Sequence, residues 1–138
     1  MACDHAGFEL KEYIKKELVS RGYEVKDYGT HSGESVDYPD YAHPLAADVS
    51  EGKIKAGILI CGTGNGISMT ANKHKDVRCA LCWEPEIAKL ARQHNDANIL
   101  ALPGRYISPE KALETVFVFL ETGFEGGRHQ RRIDKINL

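Results

Sequence analysis

The sequence predicts an α/β protein with a doubly wound, five-stranded parallel sheet and helices on both faces. Two observations predict this fold. Short apolar runs alternate along the chain with segments of helical period, so that strand and helix follow each other five times. The runs are continuously apolar, which is typical of strands buried on both faces of a parallel sheet. The chain has 138 residues, so we expect residues 1–138 to form a single domain.

The first half of the chain contains three predicted strands and two predicted helices. The first strand ends at Cys3, although only Met1 and Ala2 precede it, so this strand is either cut short at its start or unusually short. A helix is predicted over residues 8–18, because its apolar side chains recur at helical spacing and Gly22 follows as a stop. Next come a strand over 23–28, a helix over 38–51 and a strand over 56–61. Pro44 is expected either to kink this helix or to mark a later start of it.

The second half continues the alternation with a glycine-rich loop, a short helix and five further elements. Strands are predicted over 77–82 and 99–102. Pro85 suits the first turn of a helix over 85–94, and Ser108 caps a helix that begins at Pro109 and continues to about residue 122. A last helix is predicted from Gly127 onward. Ligands of such sheets bind beyond the carboxyl ends of the strands, so functional residues are expected directly after them.

Composition excludes several classes of function. Lys and Arg number 18 and Asp and Glu 20, and this balance argues against a nucleic-acid or membrane-surface binder. No signal peptide and no apolar run of about 18 residues is apparent, so we expect a cytoplasmic protein with free thiols. Cys79 and Cys82 match C-x-x-C, but they lie in a predicted strand without a second pair for zinc. A redox or metal role is therefore the weaker interpretation.

The most informative segment is the glycine-rich loop that follows the strand over 56–61. It reads Cys61-Gly-Thr-Gly-Asn-Gly-Ile-Ser68. Its three alternate glycines allow a tight turn that aims backbone N–H groups into a cavity, which suits a phosphate or a developing oxyanion at a helix N-terminus. The spacing matches neither the dinucleotide-binding nor the P-loop pattern, and a simple turn between strand and helix is the alternative.

Cys61 is the candidate reactive residue of this loop. It is the last residue of its predicted strand, where a side chain can face the cleft and a following helix N-terminus favours the thiolate. A thiolate can act as nucleophile or as proton acceptor. A cysteine phosphatase would need an arginine six residues later, where this chain has Ile67, so nucleophilic catalysis is disfavoured. A buried structural cysteine is the alternative.

Three further polar segments are candidates. Asp4 and His5 follow the first strand, although polar residues are also common in turns. His94 ends a predicted helix, where a cation interacts favourably with the helix dipole. Arg128 and Arg132 are four residues apart and share a helix face, so that two guanidinium groups can clamp a phosphate dianion. A solvated basic tail is the alternative for this last pair.

Together these segments resemble the ribose-5-phosphate isomerase B family, which also includes isomerases of galactose 6-phosphate and allose 6-phosphate. The matching stretches occur in the family's order over nearly the whole chain: Cys3-Asp-His-Ala-Gly-Phe8, Asp37-Tyr-Pro-Asp-Tyr41, Ile58-Leu-Ile-Cys-Gly-Thr-Gly-Asn-Gly-Ile-Ser68, Arg92-Gln-His-Asn-Asp96 and Glu125-Gly-Gly-Arg-His-Gln-Arg-Arg132. The resemblance implies a Rossmann-like three-layer sandwich, no metal and no other cofactor. It also implies a homodimer with active sites between subunits, and leaves a higher oligomer open.

The activity implied by the resemblance is interconversion of ribose 5-phosphate and ribulose 5-phosphate through a cis-enediolate, in the pentose phosphate pathway. Cys61 is then expected to take the proton from C2 of the open-chain sugar, and His94 to assist ring opening. Thr63 and the loop N–H groups stabilise the enediolate, and Asp4, Asn95 and Tyr41 contact the sugar. The remaining binding residues are His5, Arg105, Arg128 and Arg132 for the phosphate, and Gly62, Gly64, Asn65 and Gly66 in the loop.

Other functions remain open on the sequence alone. The substrate could instead be a six-carbon sugar phosphate. The length of the pocket, rather than any motif, would separate this alternative from ribose 5-phosphate. A non-catalytic phosphate- or nucleotide-binding module of the same fold predicts ligand binding that survives Cys61→Ala. A thiol-dependent hydrolase is disfavoured by Ile67 and by the lack of a second evident base beside Cys61.

Overall fold

The computed structural model describes all 138 residues and confirms the predicted α/β architecture. Four parallel strands form one sheet in the order β1-β2-β4-β3. The strands are β1 (Ala2–Cys3), β2 (Gly57–Cys61), β3 (Cys79–Leu81) and β4 (Ile99–Pro103). The helices are α1 (Phe8–Ser20), α2 (Tyr38–Ser50), α3 (Asn65–Ala71), α4 (Pro85–Asn95), α5 (Pro109–Glu121) and α6 (Arg128–Ile133), and a 3₁₀ turn spans His5–Gly7.

Helices cover both faces of the sheet, as a doubly wound fold requires. Leu10, Ile14 and Leu18 of α1 pack on one face together with apolar residues of α4 and α5. Leu45 of α2 and Ile67 of α3 pack on the opposite face with other residues of those two helices. The two apolar clusters bury β2 and β4 completely, which explains their uninterrupted apolar sequences. No helix is both long and apolar enough to cross a membrane.

The sheet has four strands rather than the predicted five, because residues 23–28 do not form a regular strand. The only strand beside these residues is β1, and it contains just two residues. In this part of the chain, backbone bonds to Met1 and β1 involve only residues 26–30: Met1 N donates to Lys26 O (2.7 Å), Tyr28 N to Met1 O (2.9 Å), Cys3 N to Gly29 O (2.8 Å) and Thr30 N to Cys3 O (2.9 Å). The first half of the predicted strand therefore has no neighbouring backbone with which to pair.

The second helix begins at Tyr38 and contains Pro44 in its interior, so the expectation of a late start at the proline is wrong. Asp37 precedes the helix with extended backbone angles, and Pro39 occupies its first turn. A proline in a first turn adopts a helical φ angle and loses no hydrogen bond, since the N–H groups there have no partner within the helix. The start is thus set by Pro39 rather than by Pro44.

One buried charge fastens the chain beside β1. Lys11 of α1 is fully buried, and its Nζ lies 2.8 Å and 2.7 Å from the two carboxylate oxygens of Asp27. Asp27 also accepts a bond from Lys15 Nζ (2.8 Å) and one from Gly29 N (2.9 Å). Because a buried ammonium is costly without a partner, this network ties residues 27–29 to α1.

Candidate active site

The carboxyl ends of β1 and β2 meet at a crevice where the direction of winding reverses. β1 lies between β2 and the extended residues 28–30, so the connections after β1 and after β2 leave on different sides. Such a switch point is where ligands bind in open α/β sheets. Asp4 N donates to Ile60 O (3.2 Å), which brings the end of β1 directly beside the end of β2.

The loop after β4 closes a second side of this crevice. Gly104 N donates to Cys61 O (2.8 Å), and Arg105 N donates to Gly62 O (3.0 Å). The Arg105 side chain lies over the same loop, since a Cβ on Gly62 would stand only 3.2 Å from Arg105 Nη1. A cationic side chain is thus held against the first residue of the glycine-rich loop.

The glycine-rich loop needs two of its glycines for different reasons. Gly64 has a φ of 76°, and a Cβ there would come within 2.4 Å of Leu81 Cδ1. A Cβ on Gly66 would meet the Tyr38 ring at the same distance, 2.4 Å, so this ring packs directly on the loop. Thr63 Oγ1 accepts a bond from Asn65 N (3.2 Å) and so steadies the entry into α3.

Cys61 is the last residue of β2 and is 5% exposed. Its side chain belongs to the apolar cluster on the α2 and α3 side of the sheet, together with Ile67 and Ala101. The side chain therefore lies at the carboxyl end of β2, next to the crevice, and is almost fully enclosed. A thiolate formed here is shielded from bulk water, and the loop that follows Cys61 leads into α3, whose first N–H groups have no partner within the helix.

Asp4 and His5 lie at the same edge of the sheet, so the shortness of β1 does not displace them. Asp4 is 7% exposed, and its Oδ1 accepts from Ala6 N (2.9 Å), which starts the 3₁₀ turn. His5 Nδ1 accepts from Val36 N (3.2 Å). That bond leaves Nε2 as the nitrogen that carries the proton in the neutral ring and can donate to a ligand.

Two tyrosines of α2 border the crevice, of which sequence reasoning named only one. The predicted residue, Tyr41, packs its ring against Gly29, where a Cβ would stand 2.7 Å from the ring. The residue it missed is Tyr38, which covers Gly66. The two residues are three positions apart and therefore share one face of the helix, and this spacing within the tyrosine-rich stretch is the signal that could have found Tyr38.

The other predicted site residues form a separate cluster, which we call the α4–α6 cluster. Its side chains line a cavity of about 510 Å³ and comprise the predicted His94, Asn95, Arg128 and Arg132, together with His129, which was not predicted. The rings of His94 and His129 stack with centroids 4.5 Å apart. Desolvation lowers the pKa of His129 below its usual value, and the neighbouring His94 and Arg128 lower it further.

The α4–α6 cluster and Cys61 lie at opposite edges of the sheet. Arg78, directly before β3, donates from Nε to Asn95 O (3.0 Å), so the carboxyl end of α4 lies where the strands begin. Cys61 pairs with Pro103 at the other end of β2 and β4. The length of β2 alone separates the two edges by about 13 Å. One chain therefore brings Cys61, Asp4 and Arg105 together, but not Cys61 and His94.

Comparison with known proteins identifies the family of this chain. A family model described as ribose/galactose isomerase matches residues 1–136. The chain belongs to the ribose/galactose isomerase family. It is 51% identical to ribose-5-phosphate isomerase B of Escherichia coli over 134 residues, which cover 97% of this chain and 90% of that protein.

Solved structures of family members have the same fold. A ribose 5-phosphate isomerase from Thermotoga maritima superposes with a TM-score of 0.97 at 54% identity, covering 99% of this chain and 94% of the other. The enzyme of Mycoplasma genitalium, solved with bound ribulose 5-phosphate, gives a TM-score of 0.94 at 46% identity over 98% of this chain and 90% of its own.

One group of side chains in this family member has the composition of a metal site. Ligand atoms of His94, Glu125 and His129 all lie within 4.8 Å of one another. The two imidazole planes are only 17° apart, however, so their in-plane lone pairs run side by side instead of converging on one point. Arg128 and Arg132 line the same cavity, and their charges disfavour a cation. This arrangement suits an anion better than a metal.

The C-x-x-C pair of this family member does not form a redox or zinc site. Cys79 packs on the α2 and α3 side of the sheet, whereas Cys82 belongs to the cluster on the opposite side. Burial raises the pKa of both thiols to about 12, so both are protonated at neutral pH. The weaker interpretation of the motif therefore gains no support, and these cysteines fill the core.

Proposed function

We propose that this chain interconverts ribose 5-phosphate and ribulose 5-phosphate through a cis-enediolate. The observation that carries the proposal is the position of Cys61 at the switch-point crevice, beside Asp4 and the glycine-rich loop. The family supports the same activity, since its Mycoplasma genitalium member was solved with bound ribulose 5-phosphate. Proton transfer at a carbon next to a carbonyl needs one base and a group of donors for the oxygen, and this crevice offers both kinds of group.

The proposed reaction moves protons without a hydride acceptor. The Cys61 thiolate takes the proton from C2 of the open-chain aldose, and the electron pair forms the C1–C2 double bond and leaves a negative charge on O1. The hydroxyl of Thr63 and the N–H groups of the loop from Gly62 to Gly66, including Asn65, stabilise that charge. Transfer of the O2 proton to O1 and return of the proton from Cys61 to C1 give the ketose and restore the thiolate. These steps use side chains and backbone of this chain only, with no cofactor.

The phosphate and the sugar hydroxyls position the carbon chain against Cys61. Asp4 contacts the sugar oxygens and Tyr41 lines the pocket, while His5 and Arg105 offer donors for the phosphate from the same edge of the sheet. Binding energy from a phosphate remote from the reacting carbons can hold the substrate against the base. Phosphate recognition is therefore as important to this site as the thiolate.

We infer that the complete site forms between two copies of the chain. The α4–α6 cluster is about 13 Å or more from Cys61 within one chain, yet His94, Asn95, Arg128 and Arg132 are needed for ring opening and phosphate binding. An isologous dimer that brings this cluster onto the partner's crevice makes two identical sites. Met69, Trp83 and Tyr106 support such a contact, since these large apolar side chains are exposed on α3 and just beyond β3 and β4.

The cytoplasm is the compartment that we propose for this reaction. All four cysteines are free thiols, including the base Cys61. A thiol that must cycle through its thiolate is preserved where disulfide formation is rare.

Proton NMR of ribose 5-phosphate in D₂O tests the activity and the base together. We expect the unaltered protein to form ribulose 5-phosphate and to incorporate deuterium at the exchanging carbon. Cys61→Ala should abolish both signals, while Cys82→Ala, which also removes a buried thiol, should retain them. Near-normal turnover by Cys61→Ala would contradict the assignment of the base. Activity with allose 6-phosphate or galactose 6-phosphate in place of ribose 5-phosphate would move the assignment to a six-carbon substrate.

A further inference from the structure

The carboxyl end of α4 carries two residues of the α4–α6 cluster and finishes in a tight turn. His94 and Asn95 are the last two residues of the helix. Asp96 follows in the left-handed region, with a φ of 45° and a ψ of 44°, and Ala97 N donates to Ala91 O (3.1 Å). Helices that end in this way usually have a glycine at the left-handed position. An aspartate is less favourable there, so other contacts must hold the turn.

Arg78 binds this turn with its guanidinium group. Its Nε donates to the carbonyl oxygens of Asn95 (3.0 Å) and Asp96 (3.1 Å), and its Nη2 donates to Asp96 O (3.0 Å). The Arg78 side chain is only 20% exposed. Carbonyl groups at the end of a helix have no partner within the helix, so a guanidinium fork that spans two of them satisfies both and complements the helix dipole.

The backbone of Arg78 is fixed to the sheet. Arg78 directly precedes β3, and its N–H donates to Asn98 Oδ1 (2.8 Å). Its carbonyl oxygen accepts from Asn98 N (3.0 Å) and from Ile99 N (3.3 Å), and Ile99 is the fully buried first residue of β4. The guanidinium group therefore connects the end of α4 to the most rigid part of the fold.

A second arginine holds the same turn onto α5. Arg92 Nη1 donates to Asp96 Oδ1 (2.8 Å) and to Ala97 O (2.6 Å), and Arg92 Nε donates to Thr122 O, directly after α5 (3.0 Å). The Asp96 carboxylate also lies 3.6 Å from Arg78 Nη2. The turn is thus bound by two cations, of which Arg78 is the one that contacts the carbonyl group of Asn95.

Ring opening is the step of the proposed reaction that depends on this end of α4. In that step the O1 hydroxyl of the cyclic sugar loses its proton as the C1 carbonyl forms, the C1–O4 bond breaks, and O4 gains a proton. His94 assists this step in the proposed function, yet its side chain is 43% exposed, so packing encloses it only partly and the backbone of α4 sets its position. A misplacement of about 1 Å can lower the rate of such a step by about 100-fold.

We propose that Arg78 is a positioning residue for ring opening, a role that rests on the proposed function. Its fork fixes the end of α4, so that His94 reaches the sugar ring at the distance that proton transfer requires. Proton transfer between C2 and C1 instead uses Cys61 and the groups around it, at the other edge of the sheet. Loss of the fork should therefore slow the ring-dependent step and spare enediolate formation.

Deuterium exchange into ribulose 5-phosphate separates the two steps. This ketose is acyclic, so its C1 proton exchanges through the enediolate without opening or closure of a ring. We compare that exchange, followed by NMR in D₂O, with isomerisation of ribose 5-phosphate, whose ring must open first. Arg78→Met should lower kcat/KM for isomerisation by about 10- to 100-fold and should lower the exchange rate by less than about threefold.

Arg21→Met is the matched control. Arg21 also stands at the carboxyl end of a helix, α1, but its guanidinium group lies over the Phe117 ring, 4.2 Å from the ring centre, and not at the α4–α6 cluster. Both rates of this variant should stay within about twofold of those of the unaltered protein.

Arg78→Lys keeps a positive charge at the helix terminus and so guards the test against a failure of Arg78→Met to fold. A single nitrogen cannot span the carbonyl groups of Asn95 and Asp96 as the fork does, so we expect the same selective loss of isomerisation, by about fivefold. Equal loss of both rates in these variants would make Arg78 a general structural residue and would overturn the proposal, as would unchanged isomerisation. Either outcome leaves the proposed function intact, whereas an unaltered protein without isomerase activity would overturn both.

Discussion

Mixing two inactive variants tests whether the complete site is shared between subunits. Cys61→Ala removes the proposed base and leaves the α4–α6 cluster intact, whereas His94→Ala has the opposite effect. In an isologous dimer that contains one chain of each variant, one site combines both defects and the other combines both intact halves. Random association gives heterodimers in half of the dimers, and each heterodimer has one complete site out of two. The expected activity is therefore about a quarter of that of the unaltered protein.

The assay is isomerase activity after the two variants are dissociated together in mild denaturant and then reassociated. Cys61→Ala mixed with Asp4→Ala is the matched control, since both defects lie at the same edge of the sheet and no heterodimer then has a complete site. The control mixture should stay inactive. If the mixture of Cys61→Ala and His94→Ala is no more active than its components, the reasoning from the two edges of the sheet is refuted.

Two further predictions concern the stability of the fold around the site. Gly64→Ala should lower the free energy of unfolding, measured in urea, by about 2–4 kcal/mol, because the alanine takes a positive φ and its Cβ meets Leu81. Gly33→Ala is the control, since this position is open and the substitution should change the free energy of unfolding by less than about 0.5 kcal/mol. A small effect of Gly64→Ala would show that the loop can adopt another conformation. Asp27→Asn should lower the free energy of unfolding by about 3 kcal/mol, because it leaves the buried Lys11 ammonium without its main carboxylate. Adding Lys11→Met to Asp27→Asn should recover most of this loss. Failure of the second substitution to restore stability would mean that the carboxylate acts through other partners.

Local patterns were sufficient to predict most of the helices and their limits. Ser108 accepts a capping bond from Lys111 N (3.2 Å), and α5 then runs from Pro109 as its sequence predicts. The buried strands β2 and β4 follow their apolar runs closely. These features depend on residues within a few positions of each other, so the sequence alone is enough to specify them.

Long-range contacts decided the rest. Residues 23–28 have a strand-like sequence, but a strand forms only where a neighbouring backbone is available, and β1 offers too little of one. The sequence likewise predicted both Cys61 and His94 as site residues. It did not show that a single chain holds them at opposite edges of the sheet. Whether two residues meet depends on strand order and register, and these are set by pairing between segments that are distant in sequence.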